Sequence, residues 1–207
     1  MVTILAIVTI SYLIGSFPTG IVFGKAFKGI DVRTVGSKTM GATNVFRILG
    51  PKIAIPVLIV DILKGIIVTI LISKIYFGDV VIALYWLKII AGFSAIIGHI
   101  FPIWIGFKGG KGVATATGVI FGLMPLEAGF ACLLFVIVVA LTRYVSLGSI
   151  LASFFIFCAL LAEKLYLGII IPKAYMLLSI LLLLTVLITH RHNIKRLLRG
   201  QENKIGK

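Results

Sequence analysis

Long apolar stretches are the feature that most restricts how this chain can fold. A helix that crosses a bilayer needs roughly 20 mostly apolar residues. Six stretches reach or approach that length, and they cover residues 2–23, 53–72, 80–105, 126–141, 147–162 and 174–189. Only 13% of the residues are charged, about half the share that is usual in a soluble domain. We therefore predict an all-α polytopic membrane protein, with residues 1–207 forming a single integral-membrane domain.

The distribution of basic residues predicts the topology. Lysine and arginine cluster in residues 25–52, at Lys108 and Lys111, and in the tail 191–207. Such clusters are typical of cytoplasmic loops. All three clusters fall on one side only if the short apolar stretch 113–124 also crosses the membrane. We therefore expect about seven membrane-spanning helices, an outside N-terminus and a cytoplasmic C-terminus, and we expect the first helix to be retained rather than cleaved as a signal peptide.

The net charge of +14 is explained by these loops and by attraction to an anionic membrane leaflet. Nucleic acid is therefore not expected as a partner. Cys132 and Cys158 lie in apolar stretches without metal or redox spacing, so we expect packing thiols and no disulfide. No metal or cofactor is expected.

The first polar segment that could carry chemistry is the loop of residues 31–50. It places Ser37, Asn44 and Arg47 among glycines. Hydroxyls, backbone N–H groups and guanidinium groups bind phosphate well. The alternative interpretation is a polar linker whose positive charge only sets the topology.

The second segment is a glycine loop with the sequence "GFKGGKGVATATG". Its candidate phosphate-binding residues are Lys108, Gly109, Gly110, Lys111, Gly112 and Thr115. Glycines let a backbone approach a ligand, and a helix beginning here would favour anions. The spacing differs from a nucleotide P-loop, which has four residues before its Gly-Lys pair and then Ser or Thr. A flexible cytoplasmic turn is the alternative.

The third segment joins the last apolar stretch to the basic tail. His190 and Asn193 are three residues apart, so they share a face if the helix continues, with Arg196 near the same stripe. The turn of residues 142–149 adds Ser146 and Ser149 as further candidates for phosphate binding. A stop-transfer anchor would explain the arginines but not His190 and Asn193.

Three polar features fall inside apolar helices. Asp61 and Lys64 are spaced for a buried ion pair on one helical face. We expect His99 to be a structural histidine bonded to the backbone. Pro18 is expected to bend the first helix.

Motifs for covalent acyl transfer or metal-dependent hydrolysis are absent, including the Gly-x-Ser-x-Gly elbow and acidic metal clusters. The polar segments instead gather at one predicted face. This favours an enzyme at the cytoplasmic surface over a transporter or channel for phosphate or another small anion, which is the alternative. A membrane scaffold would give no reason for three phosphate-suited segments.

Three motifs in this sequence, "GSKTMGATNVFR", "GHIFPIWIGFKGGKGVATATG" and "HRHNIKRLLRGQE", resemble those of the bacterial membrane acyl-phosphate:glycerol-3-phosphate acyltransferases, the PlsY family. The resemblance extends over nearly the whole chain. It implies transfer of a fatty acyl group from acyl phosphate to the 1-hydroxyl of glycerol 3-phosphate, giving lysophosphatidic acid and inorganic phosphate. It also implies a multi-pass protein of the bacterial cytoplasmic membrane, with the active site facing the cytoplasm.

The resemblance also implies roles for individual residues. Ser37, Arg47 and Lys111 would bind phosphate together with Ser149 and Ser146, and His190 and Asn193 would contact the glycerol backbone. Lys111, Ser37, Arg47, His190 and Asn193 are thereby the implied catalytic set. Glu202 matches a family position with a structural role. The chain departs from the family at Lys38 and Thr39, because the family usually has Gly-Ser-Gly-Asn where this chain has Gly-Ser-Lys-Thr.

Overall fold

The computed structural model describes residues 1–78 and 81–206, and the chain divides into two compact units, Met1–Leu123 and Met124–Lys207. The regular structure of the described residues is helical. Unit 1 contains α1 (Val2–Ser16), α2 (Thr19–Lys28), α3 (Ala42–Leu49), α4 (Pro51–Ile70), α5 (Leu84–Ile100) and α6 (Val113–Leu123). Unit 2 contains α7 (Pro125–Thr142), α8 (Val145–Tyr166), α9 (Lys173–Thr189) and α10 (Arg191–Leu198).

The predicted class of an all-α membrane protein agrees with these helices. Five segments among the described residues are long and apolar enough to cross a membrane, and a sixth is possible if α9 and α10 count as one bent span. Helix α6 has 11 residues, or roughly 16 Å of length against a hydrocarbon core of roughly 30 Å. Seven crossings therefore remain a prediction. The predicted start of the third stretch, Val80, lies outside the described residues, as does Lys207.

The first membrane span is broken where the sequence predicts a bend. Helix α1 ends at Ser16 and α2 begins at Thr19, because Pro18 has no N–H to continue the helical hydrogen bonds. The carbonyl of Phe17 at this break instead accepts a hydrogen bond from Lys64 Nζ in α4, at 2.6 Å. The bend predicted at Pro18 is confirmed.

Glycines let the helices of unit 1 pack at backbone distance. A Cβ on Gly15 of α1 would overlap the backbone of Ala95 in α5. A Cβ on Gly65 of α4 would likewise overlap the carbonyl of Thr115 in α6. Close contact through small residues is typical of helix pairs in membranes. It fixes α4 and α6 against each other next to the glycine loop.

Two short helices differ from the sequence interpretation. Eight residues of the predicted loop 31–50 form α3, and its buried Val45 packs in a core with Val32 and Met40. The prediction that the last long helix continues straight into the tail is wrong. Helices α9 and α10 are separate, and their axes are bent by 64° relative to each other. Tertiary contacts of the polar tail, described below, account for that bend.

Candidate functional site

Asn44 organises the first loop of unit 1. Its side chain is fully buried, and its Nδ2 donates to the carbonyls of Val32 at 2.7 Å and Thr39 at 2.8 Å. Its Oδ1 accepts a hydrogen bond from the backbone N–H of Ser37 at 2.8 Å. The amide is therefore committed to shaping the loop, and we assign Asn44 this role in place of the predicted direct phosphate contact.

The loop places Ser37 beside a strained backbone position. Ser37 Oγ lies 3.2 Å from Thr39 Oγ1. Lys38 between them has a φ of +56°, a left-handed conformation that glycine adopts without steric cost and other L-residues do not. The loop thus retains the backbone that the family's usual glycine would favour, although this chain has lysine there. Arg47 lies in the last turn of α3, on the same loop.

Substituting Lys38 with glycine tests whether the lysine side chain contributes to activity or is only tolerated in the loop. We expect Lys38→Gly to change the free energy of unfolding by no more than about 1 kcal/mol, because relief of the left-handed strain offsets the greater freedom of the unfolded chain. The activity that the family resemblance implies should stay within about threefold. Thermal unfolding in detergent and kcat/KM measure the two effects. A tenfold loss of kcat/KM would show that the Lys38 ammonium binds a substrate phosphate.

Arg33 joins the first loop to the segment that precedes the glycine loop. Its guanidinium pairs with Asp31 at 2.8 Å, and its Nη1 donates to the carbonyl of Ile105 at 3.2 Å. The hydrogen bond from Arg33 lowers the pKa of Asp31 below its ordinary value. The two loops therefore lie at the same end of unit 1. Arg33 is one of the two arginines of the loop that were predicted to suit phosphate, and the Asp-x-Arg spacing was the available signal for its link to Asp31.

Gly109 and Gly110 pack on α5 rather than leaving their backbone open. The N–H of Gly109 donates to the carbonyl of Ile100, and that of Gly110 donates to the carbonyl of His99, each at 3.1 Å. A Cβ on Gly110 would overlap the His99 imidazole. These two N–H groups therefore serve the fold, which corrects the expectation that the glycines mainly let the backbone approach a ligand.

The remaining predicted residues of the glycine loop differ in exposure. Lys108 is exposed and Lys111 is half-buried. Gly112 has a φ of +80°, which favours glycine, immediately before α6 begins at Val113. Thr115 in the first turn of α6 is fully buried, and its Oγ1 lies 3.3 Å from His99 Nδ1. Thr115 is thus a support of the helix start, and Lys111 remains the candidate for phosphate binding.

Glu202 is the centre of a polar cluster in unit 2. Its Oε1 accepts hydrogen bonds from Asn193 Nδ2 at 2.6 Å and Ser146 Oγ at 2.9 Å, and its Oε2 accepts one from Arg196 Nε at 2.8 Å. Burial of the carboxyl would raise the pKa of Glu202, but these hydrogen bonds together hold it below its ordinary value. The cluster links the start of α8 to α10 and to the tail, and Asn193 and Arg196 share a face of α10 as the spacing predicted.

His190 lies at the bend between α9 and α10. The ring is buried, and its Nδ1 lies 2.9 Å from the carbonyl of Val186. A carbonyl can only accept, so Nδ1 carries the proton of this hydrogen bond. Ser149 donates its hydroxyl proton to the carbonyl of Val145 at 2.9 Å, which leaves its oxygen lone pairs for another donor.

Three carboxylates of the described residues have donors within the fold. Asp31 pairs with Arg33, Asp61 pairs with Lys64, and Glu202 accepts from three donors. No group of three or more His, Cys, Asp or Glu side chains suited to a metal occurs in residues 1–78 and 81–206. The arrangement therefore suits neutralisation of anionic groups rather than carboxylate base catalysis.

Comparison with known proteins gives one consistent result. The family model described as glycerol-3-phosphate acyltransferase matches residues 5–200. A glycerol-3-phosphate acyltransferase of Chlorobium phaeobacteroides is 40% identical over 99% of this chain and 97% of its own length. That of Geobacter sulfurreducens is 38% identical over 99% of this chain and 98% of its own.

Two solved structures are similar over almost the whole fold. One is the glycerol 3-phosphate form of PlsY (YgiH), an integral membrane glycerol 3-phosphate acyltransferase, with 39% identity, a TM-score of 0.85, and coverage of 98% of this chain and 96% of that one. The other is the lysophosphatidic acid form of PlsY, with 38% identity, a TM-score of 0.83, and coverage of 98% and 95%.

Proposed function

This chain belongs to the glycerol-3-phosphate acyltransferase family, and from that premise we propose that it transfers a fatty acyl group from acyl phosphate to the 1-hydroxyl of glycerol 3-phosphate. The protein is a membrane acyltransferase that acylates glycerol 3-phosphate to lysophosphatidic acid. The alternative of an anion transporter has no support among these relatives. We treat both compact units as parts of one acyltransferase domain of a bacterial cytoplasmic membrane.

The observation that carries the proposal is the Arg33 link between the two phosphate-suited loops of unit 1. The hydrogen bond from Arg33 to Ile105 brings the loop with Ser37 and Arg47 to the same end as the loop with Lys108 and Lys111. Cations and hydroxyls gathered in this way can neutralise phosphate oxygens.

Roles for individual residues follow for each unit by itself. In unit 1, Ser37, Arg47 and Lys111 bind phosphate, with Lys108 adding positive charge. In unit 2, His190 and Asn193 contact the glycerol backbone, and Ser146 and Ser149 bind phosphate by turning their hydroxyl protons toward it, away from Glu202 and the Val145 carbonyl. The hydrogen bond between His190 Nδ1 and the Val186 carbonyl fixes the orientation of the ring. Glu202 holds Asn193 and Ser146 in place and has no contact with substrate.

The reaction needs no protein nucleophile. Acyl phosphate is a mixed anhydride, so the 1-hydroxyl oxygen attacks the acyl carbon and forms the ester as the bond to the phosphate oxygen breaks. The hydroxyl proton passes to the departing phosphate, which gives inorganic phosphate. The protein positions the two substrates and neutralises charge that develops on phosphate. The pairing of the described carboxylates within the fold supports this assignment.

A comparison of acyl donors tests the proposal. Purified protein in detergent or liposomes would receive glycerol 3-phosphate with palmitoyl phosphate, palmitoyl coenzyme A or palmitoyl carrier protein, in buffer containing EDTA. We expect turnover with palmitoyl phosphate alone. Turnover that requires a thioester donor or an added divalent ion would contradict the proposed donor and the metal-free mechanism.

The proposed cytoplasmic location of the site gives a topology prediction. Single cysteines at Lys38, Lys108 and Lys204, in a chain without Cys132 and Cys158, should react with a membrane-impermeant maleimide only after cells are opened. Positive charge around these positions gives the physical reason. Labelling of the Lys204 position in sealed cells, with Lys38 and Lys108 protected, would mean that residues 113–124 do not cross the membrane.

A further inference from the structure

A buried polar network lies inside unit 1 and includes residues to which no substrate contact is assigned. Asp61 and Lys64 of α4 are 1% and 4% exposed, and their Oδ1 and Nζ atoms are 2.7 Å apart. The ion pair predicted from their spacing is confirmed. Ionisable groups at membrane depth are costly to bury. They therefore need a specific explanation.

Lys64 uses its ammonium to close the break in the first span. Nζ donates to the Phe17 carbonyl at 2.6 Å, to Thr19 Oγ1 at 2.5 Å and to Asp61. Three acceptors match the three protons of an ammonium. Thr19 in turn donates to Asp61 Oδ1 at 2.8 Å. These hydrogen bonds satisfy the buried ammonium of Lys64. The carboxylate of Asp61 also faces a residue of α5.

On that side lies the imidazole of His99. Its Nδ1 is 3.8 Å from Asp61 Oδ1 and 3.3 Å from Thr115 Oγ1, and the ring is 3% exposed. The bond from the His99 ring to the backbone that the sequence analysis expected is not made by Nδ1, whose neighbours are side chains. The ring thus connects α4 to the first turn of α6.

The other edge of the same ring supports the glycine loop. The backbone of Gly110 lies so close to His99 Nε2 that a Cβ would overlap it, and the Gly110 N–H donates to the His99 carbonyl. Lys111 directly follows Gly110, and Thr115 lies four residues after Lys111, in the first turn of α6. His99 therefore contacts the chain on both sides of Lys111.

We propose that His99, oriented by Asp61 and Thr115, is a positioning residue that fixes the backbone of Lys111 for phosphate binding. The inference rests on the proposed function, because it concerns how that site is held. Lys111 is half-buried. Its ammonium is carried by its backbone, so a movement of the backbone changes the position of the ammonium. A misplacement of about 1 Å can cost a hundredfold in rate.

Two substitutions at His99 separate this role from simple packing. His99→Phe keeps a ring under Gly110 but removes the polar link to Asp61 and Thr115. His99→Asn removes most of the ring but keeps a polar atom near the position of Nδ1. If the polar link positions Lys111, the asparagine variant should retain more activity than the phenylalanine variant. If the ring only fills space, the order should be reversed.

Thr115→Val provides a second, nearly isosteric test of the same link. Thr69→Val is its matched control, because Thr69 is also fully buried and its hydroxyl bonds only to a carbonyl of its own helix α4. We expect Thr115→Val to lower kcat/KM by about tenfold or more, mainly through a higher KM for glycerol 3-phosphate. Thr69→Val should stay within about threefold of wild type.

The experiment measures thermal unfolding of each variant with and without glycerol 3-phosphate, together with kcat and KM. The shift in unfolding temperature does not depend on the acyl donor. If wild type shows the shift but no turnover with acyl phosphate, the proposed donor fails and the inference is still tested by the shift. A folded Thr115→Val variant that matches Thr69→Val, or a phenylalanine variant more active than the asparagine variant, would overturn the inference.

Discussion

Substitution of Lys111 with alanine is expected to lower kcat/KM for acyl transfer at least about a hundredfold, or about 3 kcal/mol of transition-state stabilisation. Lys111 stands between Gly110 and Gly112 at the start of α6. There its compact ammonium can neutralise phosphate charge where the helix also favours anions. We therefore assign Lys111 to charge stabilisation rather than to a nucleophile or base.

Two further variants make this expectation specific. Lys111→Arg keeps the charge and should retain part of the activity, although the planar guanidinium fits the glycine loop differently. Lys52→Ala removes an exposed cation at the start of α4, outside the proposed site, and should stay near wild type. The measurements are kcat and KM with each substrate varied in turn. A well-folded Lys111→Ala enzyme with a kcat/KM within a few-fold of wild type would contradict this assignment. The glycine loop would then be a cytoplasmic turn without a role in phosphate binding.

Substitution of Glu202 with alanine should cause the largest loss of stability in unit 2. It removes the acceptor of hydrogen bonds from Ser146, Asn193 and Arg196. The buried Ser146 and Asn193 donors left without an acceptor should together cost about 3 kcal/mol of the free energy of unfolding, and the partly exposed Arg196 should add little. Activity should fall as well, because Asn193 loses the contact that orients it.

The pH dependence of unfolding gives a second readout for Glu202. Its hydrogen bonds hold its pKa in the folded protein below the ordinary value of 4.5. Its contribution to stability is therefore present above pH 4.5 and is lost as the pH falls through the folded-state pKa. Glu202→Gln should flatten this acid loss, and exposed Gln201→Ala is the matched control. A Glu202→Ala protein with the unfolding temperature of the control would contradict the structural role.

Hydrophobic patterning was sufficient to predict the long helices. Six of the seven predicted apolar stretches correspond to helices within a few residues at each described end, and the seventh is the short α6. Helices α3 and α10 were harder to predict, because both are short and amphipathic and depend on tertiary contacts. In α3 these come from the core around Val45, and in α10 from the Glu202 cluster.

The chemistry of the site was predictable only in part. The residue types of both loops indicated phosphate, but hydrogen-bond partners depend on three-dimensional contacts that a linear pattern does not encode. Asn44 and Thr115 looked like ligand-binding residues, and their polar atoms are used within the fold. Likewise, the lysine at position 38 gave no indication that the backbone there would keep a φ of +56°.

The most direct test of the central claim is a product balance. Purified protein would be incubated with palmitoyl phosphate and glycerol 3-phosphate, without coenzyme A, carrier protein or metal ion, while phosphorus NMR follows both products. The account predicts one 1-acyl lysophosphatidic acid for each inorganic phosphate released, and neither product when glycerol 3-phosphate is omitted. Release of phosphate without lysophosphatidic acid, or a burst equal to the enzyme concentration in the absence of glycerol 3-phosphate, would contradict direct transfer between the two substrates.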